Sequence, residues 1–140
     1  MEQAEAKKSS KLYYLVGGLI IAITFLMVSI LLNNTGSWVL TENGVWVAQG
    51  EPRTMPGVVL DQQILLLAAQ ALYDEANGAN TNLAYGQCLG SIGDDWVVDI
   101  AHSPRIYVDE DPTNQCDDYR VGTATHYIEL DPDGNLIRIN

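Results

Sequence analysis

The sequence predicts an α+β protein. It has one N-terminal transmembrane helix, then a small domain with one amphipathic helix and an antiparallel sheet of about five to seven short strands. Three observations carry this reading. Residues 12–32 are an uncharged apolar run, residues 60–76 repeat apolar side chains at helical spacing, and from Leu83 onward short β-rich runs alternate with turn residues.

The run LYYLVGGLIIAITFLMVSILL is long enough to cross a bilayer, at about 31 Å of helix. Thirteen of its residues are Leu, Ile, Val or Phe, so insertion gains about 4 to 8 kcal/mol before the polar residues are counted. Thr24 and Ser29 are tolerated because a hydroxyl bonds back to its own helix. Tyr13, Tyr14 and Trp38 flank the run as interfacial aromatics do. A cleaved signal peptide would carry an apolar core of about 7 to 15 residues and a small-x-small site. This run is longer, and Thr35 and Ser37 make a poor cleavage site, so an uncleaved anchor is expected. A pilin-like filament subunit is an alternative, suggested by Lys7-Lys8-Ser9-Ser10 before an apolar helix. Gly at the processing point and an early Glu are missing. Gly18 and Ala22 form a small-xxx-small pair able to seat a partner helix.

Lys7, Lys8 and Lys11 precede the span, and the next basic residue is Arg53. The positive-inside bias places residues 1–11 in the cytoplasm as a disordered tail and the rest of the chain outside. The divisions expected are the tail at 1–11, the span at 12–32, a hairpin and linker at 33–57, and an extracytoplasmic domain at 58–140. Beyond residue 11 the chain carries 4 Arg, no Lys and 16 acidic residues, a net charge of −12. That field repels phosphate backbones and excludes nucleic acid as a partner. It suits solubility at high ionic strength. Cys88 and Cys116 are the two cysteines, and outside the cytoplasm an even pair reads as a disulfide.

Asn33-Asn34-Thr35 fits the glycosylation sequon but hugs the span. Two β-rich runs, 37–41 and 45–48, flank Glu42-Asn43-Gly44. The Asn-Gly pair predicts a two-residue type I′ hairpin. The helix is expected over 60–76, capped by Asp61, with Leu60, Ile64, Leu67, Ala68, Ala71 and Leu72 as its core stripe and Asn77-Gly78 at its end. Strands are expected at 85–89, 96–101, 106–108, 121–130 and 136–139, with turns at 93–95 and 131–135 and an acidic loop over 109–118.

Few residues point to chemistry. Asp131-x-Asp133-x-Asn135 opens like a calcium loop, but the sixth position is Leu136 where Gly is needed, so a hairpin turn is the better reading. The acidic loop reads as a solvated face. His102 and His126 are the histidines available for catalysis or zinc. No spacing supplies a third ligand, so no metal site and no cofactor is expected. A Cys–His nucleophile is removed if the thiols are oxidised.

From the helix onward the order of features resembles the JAB/JAMM (MPN) metallo-isopeptidase family. The resemblance spans about residues 58–128. It rests on Gln87-Cys88-Leu89-Gly90, Gly93-Asp94-Asp95, Trp96 to Ile100, Pro104-Arg105-Ile106, Cys116, and Val121-Gly122-Thr123-Ala124-Thr125-His126-Tyr127. It implies a metallopeptidase fold. The catalytic positions depart from the pattern: the His-x-His pair falls on Thr125 and Tyr127, Ile128 replaces the following proline, and no Ser-x-x-Asp follows. The resemblance therefore implies a degenerate or rearranged site around His126 and His102. The leading expectation is a non-enzymatic surface or accessory protein. It would sit in the lipid bilayer and act through contacts of its outer domain or its anchor helix, with other membrane or envelope proteins or with its own copies.

Overall fold

The computed structural model describes residues 2–33 and 36–140, with side chains over 12–32 and 36–140. The glycosylation sequon falls outside these side chains. The chain divides into two compact units, residues 1–37 with 49–53, and residues 38–48 with 54–140.

The first unit is built on α1, Glu2–Asn33. Its stretch Leu12–Leu32 has a mean hydropathy of 2.8 and none of it is buried against protein. An apolar surface that bare suits lipid, not water. The Thr24 hydroxyl donates to the carbonyls of Ile20 and Ile21, at 3.0 and 2.9 Å. Residues 2–11, expected as a disordered tail, continue the helix. Glu, Gln, Ala and Lys dominate them, and all four are good helix formers.

Strands β1 (Ser37–Leu40) and β2 (Trp46–Gln49) form a hairpin, whose residues 38–48 open the second unit. The turn differs from the expected type I′. Gly44 alone takes positive φ (+75°), and its N–H donates to the Thr41 carbonyl at 3.0 Å. Asn43 stays at negative φ, and its carbonyl accepts the N–H of Ile139 at 2.8 Å, tying the turn to the last strand. The Gln62 amide clamps the same turn, accepting from the Trp46 N–H and donating to the Gly44 carbonyl, both at 2.8 Å. A Cβ on Gly44 would lie 2.1 Å from the Ile139 carbonyl oxygen. Gly44→Ala should therefore undock the turn and cost roughly 1 kcal/mol or more in urea unfolding.

Helix α2, Gly57–Gly78, begins four residues before the expected cap. Pro56 sits at its N-cap with extended ψ (150°) and makes no side-chain cap, so Asp61 lies inside the helix. The buried side is Val59, Ala69 and Tyr73, flanked by Leu65, Leu66, Leu72 and Ala76. The expected stripe is mostly on the other side. Leu60, Ile64 and Leu67 are 50%, 57% and 72% exposed, and Ala71 is exposed as well. The helix carries two apolar stripes at the 3.6-residue period, with Gln63, Gln70, Asp74 and Asn77 gathered on a side between them. The sheet selects the one carrying Ala69, which lets the backbones approach, and Tyr73, whose hydroxyl donates to the Pro132 carbonyl at 3.2 Å. Leu67→Gln should accordingly change urea stability by less than about 0.5 kcal/mol.

The four-stranded sheet runs β3 (Cys88–Ser91), β4 (Trp96–Ile100), β5 (His126–Leu130), β6 (Leu136–Ile139), in that order. It is mixed, because β4 and β5 pair in parallel and only the outer pairs are antiparallel. A parallel pair needs a crossover. Residues 101–125 supply it, with a 3₁₀ turn at Tyr107–Glu110 in place of the expected strand over 106–108, and a short α3, Asp117–Val121. The segment 121–125 leads into β5 without being strand. Val98, Ile100, Ile128 and Leu130 face α2 and are almost fully buried. The turn at 131–135 forms as expected. Asp131 accepts from the N–H groups of Asp133 and Asn135 and from the Asn135 amide, which leaves its carboxylate spent on the turn.

Candidate functional site

The sheet has a second covered face. Strand alternation puts Val97, Asp99, Tyr127, Glu129 and Arg138 opposite the α2 side. Register aligns four of the sheet's residues in one row. Cys88 pairs with Asp99, Asp99 with Glu129, and Glu129 with Arg138. The crossover folds over this face and is stapled to it by the Cys88–Cys116 disulfide. Cys116 is buried against Val97 and Ala124. Between sheet and crossover lies a cavity of about 290 Å³. Val97, Asp99, Tyr127, Glu129 and Arg138 form its floor, and Arg105, Glu110, Gln115, Cys116 and Tyr119 its wall.

Glu129 is buried, with 5% of its surface exposed, and is held from two sides. Arg105 Nη1 donates to Oε1 at 2.7 Å, Arg138 Nε to Oε2 at 2.5 Å, and Arg138 Nη2 to Oε1 at 3.1 Å. Burial alone would raise its pKa, but the hydrogen bonds and charge of the two arginines hold it below the usual range. Arg105 is fully engaged, also donating to Glu110 at 3.1 Å and to the Asp109 carbonyl at 3.2 Å.

Asp99 has no such partner. Its Oδ1 is buried and accepts no hydrogen bond. Burial pushes its carboxyl up to about 7, the neighbouring Glu129 charge pushes the same way, and Arg105 opposes. Near neutral pH it is a partly protonated acid in the cavity floor. Tyr119 and Tyr127 line the same cavity and meet edge to face, their centroids 5.0 Å apart at 80°. The guanidinium of Arg138 lies 5.0 Å from the Tyr127 centroid.

The histidines singled out from sequence lie elsewhere. His102 follows the end of β4, and its Nδ1 is 2.9 Å from Asp109 Oδ1. Asp109 is 3% exposed and also accepts the N–H groups of His102 (3.2 Å) and Ile106 (2.7 Å). Burial raises Asp109, but these hydrogen bonds outweigh it and keep the carboxyl below its ordinary value. The pair pins the start of the crossover. His126 opens β5, opposite Trp96 at the other end of β4, and stacks on its indole at 4.6 Å. Its Nδ1 is 2.8 Å from Asp95 Oδ2. Trp96 and Ile100 are four residue steps apart along the strand, about 13 Å, and His102 lies beyond that. The two imidazoles therefore do not share a site. Thr125 and Tyr127, where the JAB/JAMM resemblance would place its histidines, are otherwise used. Thr125 donates its N–H and hydroxyl to Asp95, at 2.6 and 3.0 Å, and Tyr127 lines the cavity.

The acidic loop is also consumed internally. Asp111 accepts from Thr113, Asp117 pairs with Arg120, and Asp118 accepts from the Ser91 hydroxyl. Among the described residues no group of three His, Cys, Asp or Glu side chains is placed to hold a metal ion. Both thiols are spent in the disulfide, which leaves no Cys–His nucleophile.

The site residues that sequence reading missed had a signal. Val98-Asp99-Ile100, Ile128-Glu129-Leu130 and Ile137-Arg138-Ile139 each set one charge between two apolar residues in a β-rich run. Strand alternation sends each charge to the face opposite the core. Comparison of the chain with protein-family models, with curated proteins and with solved structures finds no match.

Proposed function

We propose that the chain is a single-pass membrane-anchored surface or accessory protein that acts without catalysis, through contacts made by its folded domain. The observation that carries this reading is the outward stripe of α2. Leu60, Ile64, Leu67 and Ala71 follow a 4-3-4 spacing on the side opposite the core and remain exposed. Such a seam is the usual way one helix receives another. Asp61, Asp74 and Glu75 lie on the same helix, which has no basic residue. Two copies of it would set acid against acid, so the occupant is an apolar helix with basic flanks from another protein of the same membrane. The apolar run of α1 supports the anchor. The three lysines before it, and a disulfide after it, support a cytoplasmic N-terminus and an extracytoplasmic domain.

Photocrosslinking from position 64 or 67 in native membranes tests the contact. The expected product joins the chain to one other polypeptide through a helix bearing Lys or Arg beside its apolar residues, and Glu75→Lys with Asp61→Lys diminishes it. Adducts to lipid, to a second copy, or in equal yield from exposed positions off the stripe would contradict the reading.

A further inference from the structure

We propose that the cavity between the sheet and the crossover takes up an alkylammonium group, which docks on the Asp99 carboxylate beside the rings of Tyr119 and Tyr127.

The argument begins with unused valences. Of the three carboxylates that line the cavity, Glu129 is saturated by two arginines and Glu110 is paired with Arg105. Asp99 pairs with no cationic side chain: the Ile100 backbone N–H is its one hydrogen-bond donor among the described residues, and its Oδ1 is left without any. A half-buried carboxyl with one oxygen unsatisfied carries part of its desolvation cost until something supplies a donor. Charge points the same way. Three carboxylates face two guanidiniums, so the ionised cavity is one cation short. A bound anion would have to pull Arg105 or Arg138 from Glu129 and leave that buried charge unpaired, which is expensive. A divalent metal would find a single free carboxylate and no nitrogen or sulfur ligand.

The rest of the cavity fits an organic cation. Two aromatic rings set nearly perpendicular line the cavity, and electron-rich faces of this kind, that of Tyr127 already met by Arg138, are what ammonium groups seek when desolvated. The volume suits a short alkyl chain and its head group, at the small end of ligand sites. Val97 and the disulfide supply apolar wall for the methylenes. The groups facing Asp99 are Glu129 from β5, Arg105, Asp109 and Glu110 from the crossover, and Arg138 from β6, with the phenols of Tyr119 and Tyr127. On β3 its neighbour Cys88 does not titrate. In the free protein a proton takes the place of the missing cation. Binding transfers that proton from Asp99 to solvent, and the ligand stays protonated, so uptake strengthens as pH rises through the Asp99 transition.

A free amine and a lysine side chain present the same chemistry. Calorimetric titration of the full chain in detergent micelles distinguishes them, with n-butylammonium chloride and acetyl-Gly-Lys-Gly-amide as probes. At pH 8.5 one saturable site is expected, and the tighter probe names the source. At pH 5.5 the affinity should fall at least about tenfold. At pH 6.5 the heat should vary with the ionisation enthalpy of the buffer, as proton release requires. Asp99→Asn should abolish the saturable heat, and Tyr119→Ala should weaken binding severalfold. Asp133→Asn, an exposed turn carboxylate away from the cavity, should leave it unchanged, and near-UV circular dichroism checks that each variant is folded. The proposal is overturned by no saturable binding at pH 8.5, by binding that survives Asp99→Asn, by an equal loss in Asp133→Asn, or by acetate binding in place of the amine.

Discussion

Asp99→Asn is expected to make the protein more stable than the native chain at pH 8, by about 2 kcal/mol, and to leave the two nearly equal at pH 4. The carboxyl of Asp99 is raised to about 7 in the fold, first by burial and then by Glu129. In the unfolded chain it titrates near its ordinary value of 3.8. Between these values the folded state binds the extra proton, so native stability falls as pH rises. Below the lower value both states are protonated and no penalty exists. Above about 7 the whole penalty is present. The full span between the two values would give more than 2 kcal/mol, but Asp99 is only partly covered and water in the cavity screens it. Asparagine keeps the shape, removes the charge, and also offers a donor. Urea unfolding of both proteins from pH 4 to pH 8.5 measures the difference. A gain that is flat with pH would show that Asp99 titrates normally.

The second large effect is on the staple. Replacing Cys88 and Cys116 by serine should lower stability by roughly 3 kcal/mol, because the bridge closes a long loop, 28 residues apart in sequence, in the unfolded chain. It should act on the cavity as well. Cys116 is buried between Val97 and Ala124 and holds the crossover on the sheet. With the bridge gone, water gains entry along β3 and the burial that raises Asp99 weakens. The Asp99 transition, followed by its carboxyl carbon shift, should therefore move down toward the ordinary carboxylate range. A destabilised protein whose Asp99 still titrates near 7 would show that the sheet alone, without the crossover, buries the group.

The sequence made some elements legible and hid others for physical reasons. Residues 12–32, β4, β6, the turn at 131–135 and the cysteine pair stood out, because length, alternation, turn chemistry and cysteine count are local signals. The core stripe of α2 differs from the expected one because the helix carries two apolar stripes beside its Gln63, Gln70, Asp74 side, and only the sheet decides which is buried. The strand expected over 106–108 became a 3₁₀ turn because Asp109, three residues on, accepts the Ile106 N–H and draws the backbone inward. The type I′ hairpin was displaced by a contact distant in sequence, the Ile139 N–H on the Asn43 carbonyl. The histidines drew attention by their chemistry but serve as anchors for Asp109 and Asp95. The row Asp99–Glu129–Arg138 depends on register between β4, β5 and β6. No stretch of the chain carries that register by itself, although the lone charge in each strand shows which face it takes.

The claim that this domain stands on a membrane anchor outside the cytoplasm is tested most directly by the thiol state of the membrane-extracted native chain. The protein is alkylated without reductant, and its intact mass is read. The account predicts no added alkyl group and a mass two hydrogens below that of the reduced chain, the cysteines being joined in an oxidising compartment. Two alkyl groups on the intact chain would contradict it, because a domain kept reduced lies on the cytoplasmic side of its anchor.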